Sequence, residues 1–149
     1  MNTGVSPAVV EVNPSAAWDI LGNDADARLI DVRSRPEWGF VGGPDLSEIG
    51  HSVICAEWKT FPGMVLNPDF PGHVLEALFG HTPSTALFMC RSGVRSMHAA
   101  QMMSEVFAAH GKMVSCISIA EGFEGDLDPK AHRGGLNGWK ARGLAWCQT

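Results

Sequence analysis

Short apolar runs of strand length alternate along the chain with segments whose apolar residues have a helical spacing. The strand-length runs fall at 8–12, 28–33, 52–55, 85–89 and 113–119. The helical spacing is clearest at 96–110, where the apolar stripe consists of Ala99, Met102, Met103, Val106 and Phe107. Short apolar strands that alternate with helices predict an α/β domain with a mainly parallel sheet, and no linker divides residues 1–149.

Local signals set the expected ends of several elements. Ser15 is predicted to cap a helix that runs from 16 to about 21, and Ser34 is predicted to cap a second, short helix. Residues 57–68 are expected to be irregular because they contain a Pro-Gly turn signal. Residues 134–143 mix turn and helix signals.

Composition and charge narrow the class of protein. The 149 residues are 45% hydrophobic and 18% charged, which is ordinary for a soluble globular chain. The 11 Lys and Arg against 16 Asp and Glu give a net charge of −5, so no nucleic-acid partner is expected. The N-terminus has neither a basic nor an apolar signal region, and no apolar run reaches the roughly 18 residues of a membrane span. No membrane partner is expected, and the predicted location is cytoplasmic.

The cysteines do not form a metal-binding pattern. Cys55, Cys90, Cys116 and Cys147 stand far apart, and the 6 histidines are equally scattered, so neither a metal nor another cofactor is predicted. Cys55 and Cys116 lie in apolar runs and are interpreted as small core residues. Cys147 lies close to the C-terminus and has no evident role.

Cys90 has the surroundings of a reactive thiol. It is the first residue after an apolar strand, and ligands of open α/β sheets bind at such strand ends. The N-terminus of the following helix and the side chains of Arg91 and Arg95 would stabilise a thiolate. Gly93 allows the tight loop that an anion-binding backbone needs. The pattern therefore predicts a nucleophilic cysteine in an anion-binding loop.

Simpler interpretations are available for Cys90 and for some other polar residues. A buried cysteine at a strand end is the simpler alternative for Cys90, but the two arginines and the glycine argue against it. His98 lies one turn into the helix, where it either faces the loop or lies on the surface. His132 and Arg133 lie in a loop whose position the sequence does not set.

Four segments resemble the rhodanese family of sulfurtransferases, in the order in which that family has them. Residues 90–96 resemble its active-site loop, and residues 29–33 followed by 37–38 resemble its "LIDVR…EW" signature. Residues 121–123 resemble the turn after its last strand. Residues 138–144 resemble its closing "GWxxxGLP", here with alanine in place of the proline. The resemblance is to single-domain members and covers nearly the whole chain.

The resemblance implies a rhodanese-like fold, with an open, mainly parallel five-stranded sheet and helices on both faces. It also implies a sulfurtransferase that moves a sulfane sulfur from thiosulfate or a related small anionic donor. The sulfur would pass through a persulfide on Cys90 to a thiophilic acceptor. That acceptor is cyanide in an assay, and a thiol or a partner protein in the cell.

The resemblance further assigns the loop residues to substrate binding and to stabilising the persulfide. These residues are Arg91, Ser92, Gly93, Val94, Arg95 and Ser96. Asp31 and Arg33 of the "LIDVR" segment are expected to support the loop. Arg95 is expected either to attract the donor or to pair with an acidic residue such as Asp31 and so hold the loop in shape.

Other functions stay open. A non-catalytic rhodanese-like module that binds a partner is disfavoured because Cys90 is present. A cysteine-dependent phosphatase or arsenate reductase is disfavoured because four residues, not the five of a C-x5-R loop, separate Cys90 from Arg95. The Cys-Gly-Ser/Thr-Gly pattern associated with mercaptopyruvate sulfurtransferases is absent, which favours thiosulfate as the donor. Residues 42–62 depart from the family's "GHIPGA" segment and are candidates for the rim of the pocket.

Overall fold

The computed structural model describes residues 8–149. The strands are β1 (Val10–Val12), β2 (Ala27–Asp31), β3 (Gly43–Pro44), β4 (Val53–Cys55), β5 (Lys59–Thr60), β6 (Val65–Leu66), β7 (Thr85–Met89), β8 (Ser115–Ile119) and β9 (Trp146–Cys147). The helices are α1 (Pro14–Asn23), α2 (Arg35–Phe40), α3 (Phe70–Ala77) and α4 (Val94–Ala109), with a short 3₁₀ turn at Ser47–Ile49. Residues 1–5, in which no signal peptide is predicted, lie outside the described residues.

A five-stranded sheet forms the centre of the molecule, in the order β1-β8-β7-β2-β4. All four strand pairs are parallel, so the expected parallel sheet is confirmed. Because parallel strands end at the same edge, the loops that follow β2, β7 and β8 meet there. The residues after β7 lie between the other two loops, and this position determines the surroundings of Cys90.

Both faces of the sheet are covered, as the nearly continuous apolar runs require. Within β2, Ile30 packs into a cluster with residues of α3 and α4, whereas Leu29 packs into a second cluster with residues of α1 and the buried Trp139. The two side chains point to opposite faces because successive residues of a strand alternate. Helices on both faces of the sheet are therefore confirmed.

Two helix starts differ from the sequence prediction. Asn13, not Ser15, caps α1, because its side-chain oxygen accepts the N–H of Ala16 at 2.9 Å while Pro14 takes the first helical position. Helix α4 begins at Val94, two residues earlier than predicted. The prediction for α2 is confirmed, since it starts directly after Ser34.

Two predicted core positions are wrong. Cys55 is exposed, because β4 is an edge strand and Cys55 is its last residue. Met102 is 38% exposed, and the buried stripe of α4 instead includes Ala100 and Met103. Cys116 is buried, as predicted. An apolar stripe on a helix does not by itself show where its edge lies, which explains the error at Met102.

Residues 57–68 contain a small antiparallel hairpin that the sequence does not predict. Strands β5 and β6 pair Lys59 with Leu66, and the turn between them includes Phe61 and Met64. Four apolar side chains of this hairpin are exposed: Phe61, Met64, Val65 and Leu66. Two-residue strands without alternating polar and apolar positions carry too little pattern to be read from sequence.

The C-terminal segment closes over the sheet without a further helix. Trp139 is fully buried, and its indole N–H donates to the carbonyl of Ala145 at 2.8 Å. Strand β9 then pairs antiparallel with β3. Between residues 8 and 149, no helix combines the length and the apolar character that a membrane crossing requires.

Candidate active site

Cys90 follows β7 directly and is nearly enclosed, with only 1% of the residue exposed. Its sulfur accepts the backbone N–H of Gly93 at 3.1 Å. The thiol also donates to the hydroxyl of Ser96 at 3.4 Å. The chain therefore curls around the sulfur within a single loop, so that a backbone amide points at the atom that would carry negative charge.

The loop leads straight into the N-terminus of α4. Gly93 is the residue before the helix and has a φ of 114°, a conformation that side chains rarely adopt. Ser96, in the first turn, donates its hydroxyl to the Gly93 carbonyl at 3.2 Å and lies 2.9 Å from the hydroxyl of Ser118 on β8. The free N–H groups of the first turn favour an anion at this place. Of the remaining loop residues, Ser92 is half-buried and Val94 is 65% exposed.

A turn after β8 supports the back of the loop. Phe123 donates its backbone N–H to the Cys90 carbonyl at 2.8 Å, and Glu124 donates its own to the Arg91 carbonyl at 3.0 Å. Gly122 has a φ of 65°, and a Cβ there would lie 2.5 Å from the Cys90 carbonyl oxygen. The turn can approach this closely only because Gly122 has no side chain.

Arg95 forms an ion pair with the carboxylate of Glu37 and not with that of Asp31. Its guanidinium donates to both oxygens of Glu37, at 2.7 and 2.8 Å, and so ties α4 to α2. The proposed pairing with Asp31 is wrong, because Asp31 is already paired with Arg33. Burial acts to raise the pKa of Glu37. The hydrogen bonds and charge interaction with Arg95, together with hydrogen bonds from Ser34, outweigh burial and lower this pKa to about 2.

Arg91 lies on the same loop, and its side chain is exposed. Within residues 8–149 its guanidinium forms no ion pair, in contrast to Arg95. An arginine that is not engaged by a carboxylate keeps its donors available for an oxyanion. Of these two arginines, Arg91 is therefore the one whose donors are available to an anion.

Arg33 and Asp31 form a buried scaffold next to the loop. The guanidinium of Arg33 donates to Asp31 at 2.7 Å and to the Gly42 carbonyl at 2.7 Å. It also lies 4.4 Å above the ring centroid of Phe123, the residue that holds the Cys90 carbonyl. Arg33 is fully buried, so this pair fixes the turn behind the loop and does not meet a substrate directly.

Cys55 and Cys116 have environments that disfavour a thiolate. Burial raises the pKa of Cys116 to about 12. Cys55 is exposed, yet desolvation and then the negative charge of Asp31 raise its pKa to about 11. Both side chains are therefore protonated at neutral pH and are weak nucleophiles.

A cavity of about 390 Å³ lies beside the loop. Its lining residues are Ser34, Pro36, Glu37, Phe61, Met64, Arg91 and Arg95. Of the candidate rim residues 42–62, the structure places only Phe61 on this cavity, and Met64 follows just beyond them. Sequence reasoning missed Glu37 and Met64 as site neighbours, because nothing in their spacing shows that α2 and the hairpin approach α4.

The remaining candidates lie outside this cluster. His98 is exposed on α4. Arg133 donates to the Gly125 carbonyl at 2.7 Å, and His132 is held to Asp128 through its backbone, so both shape the loop after β8. No group of three or more His, Cys, Asp or Glu side chains in the described part of the chain is arranged to hold a metal ion.

Comparison with known proteins yields relatives over almost the full length, whereas no protein-family profile matches the chain. The uncharacterized protein RC0915 of Rickettsia conorii is 32% identical over 139 residues, which are 93% of this chain and 98% of that protein. The uncharacterized protein RP600 of Rickettsia prowazekii is 32% identical over 138 residues, which are 93% of this chain and 97% of that protein. These relatives establish a family without naming an activity.

Solved structures add the fold. The crystal structure of Rv0390 from M. tuberculosis is 38% identical, has a TM-score of 0.79, and matches 96% of this chain and 100% of its own. A polysulfide-sulfur transferase homodimer from Wolinella succinogenes has a TM-score of 0.54 at 17% identity, covering 95% of this chain and 80% of its own. A thiosulfate sulfurtransferase from Pseudomonas aeruginosa has a TM-score of 0.53 at 18% identity, covering 97% of this chain and 20% of its own. The chain thus belongs to the same family as RC0915, RP600 and Rv0390, and it has the rhodanese-like fold.

Proposed function

We propose that this protein is a sulfurtransferase that carries sulfur as a persulfide on Cys90. One observation carries the proposal: the Cys90 sulfur accepts a backbone N–H at the N-terminus of α4, where negative charge on sulfur is favoured. The fold is shared with proteins named as sulfurtransferases. Raised pKa values disfavour the thiolate at Cys55 and Cys116.

The proposed first step is attack by the Cys90 thiolate, after its proton has passed to solvent, on the outer sulfur of thiosulfate. A new sulfur–sulfur bond forms at Cys90 while the donor's sulfur–sulfur bond breaks, and sulfite leaves with the bonding electron pair. Arg91 attracts the anionic donor and the leaving sulfite, since its guanidinium is exposed and unpaired within residues 8–149. Backbone N–H groups around the sulfur hold the anionic persulfide.

In the second step a nucleophile takes the outer sulfur of the persulfide. With cyanide, the products are thiocyanate and the original Cys90 thiolate, so the enzyme is ready for the next donor. Covalent transfer in two steps lets donor and acceptor react at separate times. The expected kinetics are therefore of the ping-pong type, with parallel lines in double-reciprocal plots at different cyanide concentrations.

The test is thiocyanate formation from thiosulfate and cyanide by the wild-type protein, Cys90→Ser and Cys55→Ser. We expect Cys90→Ser to abolish turnover and Cys55→Ser to keep it, since Cys55 is exposed and is not part of the loop. The same preparations are assayed with p-nitrophenyl phosphate, for which no turnover is expected. Activity retained by Cys90→Ser, or turnover of the phosphate ester alone, would exclude the proposed reaction.

A further inference from the structure

We infer that Trp146, close to the C-terminus, is a positioning residue for Cys90. It acts through one intermediate side chain, that of Phe123, and it keeps the backbone donors of the loop directed at the Cys90 sulfur. The inference rests on the proposed sulfur transfer for its effect on turnover. Its structural part concerns contacts that exist without any substrate, so that part is testable separately.

Phe123 is the link between the C-terminal segment and the loop. It is fully buried, and its backbone N–H donates to the Cys90 carbonyl at 2.8 Å. Because the peptide unit after Cys90 is planar, holding its carbonyl fixes the direction in which the chain leaves β7. That direction determines where the N–H of Gly93 points, and this N–H donates to the Cys90 sulfur at 3.1 Å. A displacement of Phe123 is therefore transmitted to a hydrogen bond of the reacting atom.

Three side chains hold the ring of Phe123. The guanidinium carbon of Arg33 lies 4.4 Å from the ring centroid. The ring of Trp146 has its centroid 6.1 Å from that of Phe123, at an interplanar angle of 79°. This edge-to-face arrangement is favoured by the charge distribution of aromatic rings. The Lys140 ammonium lies 5.8 Å from the Phe123 centroid and 4.1 Å from the Trp146 centroid, so it is shared by the two rings.

Trp146 is held in place by its own backbone neighbours. It lies in β9, opposite Pro44 of β3. The carbonyl of the preceding residue, Ala145, accepts the backbone N–H of Asp45 at 2.9 Å and the indole N–H of Trp139 at 2.8 Å. Trp146 itself is 38% exposed and belongs to neither core cluster. Removal of its ring should therefore leave the sheet folded, while Phe123 loses a contact.

The test combines hydrogen exchange of single backbone amides in the substrate-free protein with thiosulfate turnover. In Trp146→Ala we expect the amides of Phe123 and Gly93 to exchange roughly tenfold faster, the factor that one aromatic contact contributes to a local equilibrium. The amides of β7 should exchange as in the wild type. We expect kcat with thiosulfate and cyanide to fall about tenfold, because small displacements of reacting groups have large effects on rate.

Two further variants separate the ring contact from a general loss of stability. Trp146→Phe keeps a ring edge for Phe123, so it should restore most of kcat and most of the slow exchange. Phe79→Ala removes a ring that is 93% exposed and lies between α3 and β7, and it should change neither measurement. If Trp146→Ala did not fold, Trp146→Leu would replace it, since leucine keeps apolar volume but has no ring.

Unchanged exchange at Phe123 in Trp146→Ala would overturn the inference. Equal acceleration at Phe123 and throughout β7 would also overturn it, because Trp146 would then stabilise the fold as a whole. The same holds if Phe123 exchanges faster while Gly93 exchange and kcat stay at wild-type values, or if Trp146→Phe restores nothing. If the wild type transferred no sulfur, the proposed function would fail, and the exchange at Phe123 and Gly93 would still decide whether Trp146 positions the loop.

Discussion

Arg91 on the loop and Arg95 in the first turn of α4 have different tasks, because only Arg95 has a carboxylate partner. Arg95 is bound by both oxygens of Glu37, so it joins two helices. Arg91 is exposed and has no ion pair within the described chain, which leaves it available to a substrate. Residue type alone therefore does not separate a structural cation from a binding cation, and the surrounding partners do.

Arg91→Ala should weaken the use of thiosulfate. We expect KM for thiosulfate to rise by about tenfold or more, as is typical when a hydrogen bond to a charged group is lost. Arg91→Lys keeps the positive charge, so KM for thiosulfate should rise less than in Arg91→Ala. Lysine still attracts the anion but cannot donate to it in a bidentate geometry. Steady-state kinetics at fixed cyanide measure both values. Equal KM values in the wild type and Arg91→Ala would show that this side chain does not meet the donor.

The ion pair of Glu37 and Arg95 should make stability depend on acid pH. The pKa of Glu37 is about 2 in the folded chain against its usual 4.5, so its contribution is complete above pH 4.5 and is lost as the pH falls towards 2. After allowance for partial exposure, the loss amounts to about 1–2 kcal/mol in the free energy of unfolding. Urea unfolding at several pH values measures it.

Glu37→Gln is the variant that tests this assignment. It should unfold more easily at neutral pH and should have lost that part of the pH dependence. Glu76→Gln, on the exposed surface of α3, serves as the control and should behave like the wild type. If Glu37→Gln kept the full pH dependence of the wild type, another carboxylate would be responsible.

At the residue scale, the sequence predicted the position of Cys90 after a strand and before a helix, and the structure places it there. It did not predict which acid holds Arg95, because Glu37 and Arg95 are 58 residues apart and meet only through the packing of two helices. Cys55 was misassigned to the core because its apolar neighbours are typical of a buried strand, whereas β4 is an edge strand. Long-range partners and edge positions are properties of the assembled sheet.

At the scale of elements, the loop depends on a turn from another part of the chain. Residues 123–125, after β8, donate three backbone hydrogen bonds to the carbonyls of Cys90 and Arg91, and the closest approach of this turn to the loop is at Gly122. The strand, loop and helix that the sequence identifies as the site are thus incomplete without residues 122–124. Their resemblance to a family turn was visible in the sequence, but their contact with the loop was not.

Gly122→Ala should distort the loop and abolish most sulfur transfer. An added Cβ would lie 2.5 Å from the Cys90 carbonyl oxygen, so the turn or the loop has to move. Gly111→Ala is a matched control, because Gly111 has a similar φ of 72° but open space around it. Each change should cost about 1–2 kcal/mol of stability through backbone strain. Gly122→Ala should cost further stability through the clash with the loop, and it alone should lose activity.

Thiocyanate assays and thermal unfolding of the two glycine variants decide between these roles. Equal activity in Gly122→Ala and Gly111→Ala would mean that the turn does not shape the loop.

The bounds of most strands and helices were predictable from apolar spacing, whereas the β5–β6 hairpin was not, because its strands have only two residues each. Short elements carry little periodic signal, and it is this hairpin that brings Phe61 and Met64 to the cavity.

At the scale of the whole molecule, the parallel sheet explains why the site lies where it does. The loops after β2, β7 and β8 meet at one edge, so Arg33, Cys90 and the Gly122 turn come together from distant parts of the chain. The net charge of −5 argues against nucleic acid, yet the positive charge at this edge suits a small anion. The distribution of charge, not its sum, indicates the substrate.

The persulfide itself is the most direct test. The protein is incubated with thiosulfate, freed of excess donor and examined by intact-mass spectrometry, alongside Cys90→Ser and Cys55→Ser. We expect the wild type and Cys55→Ser to gain the mass of one sulfur atom, and we expect cyanide to remove it as thiocyanate. Cys90→Ser should gain nothing. A wild-type protein that gains no sulfur from thiosulfate or from any organic thiosulfonate, or a gain that persists in Cys90→Ser, would contradict sulfur transfer at Cys90.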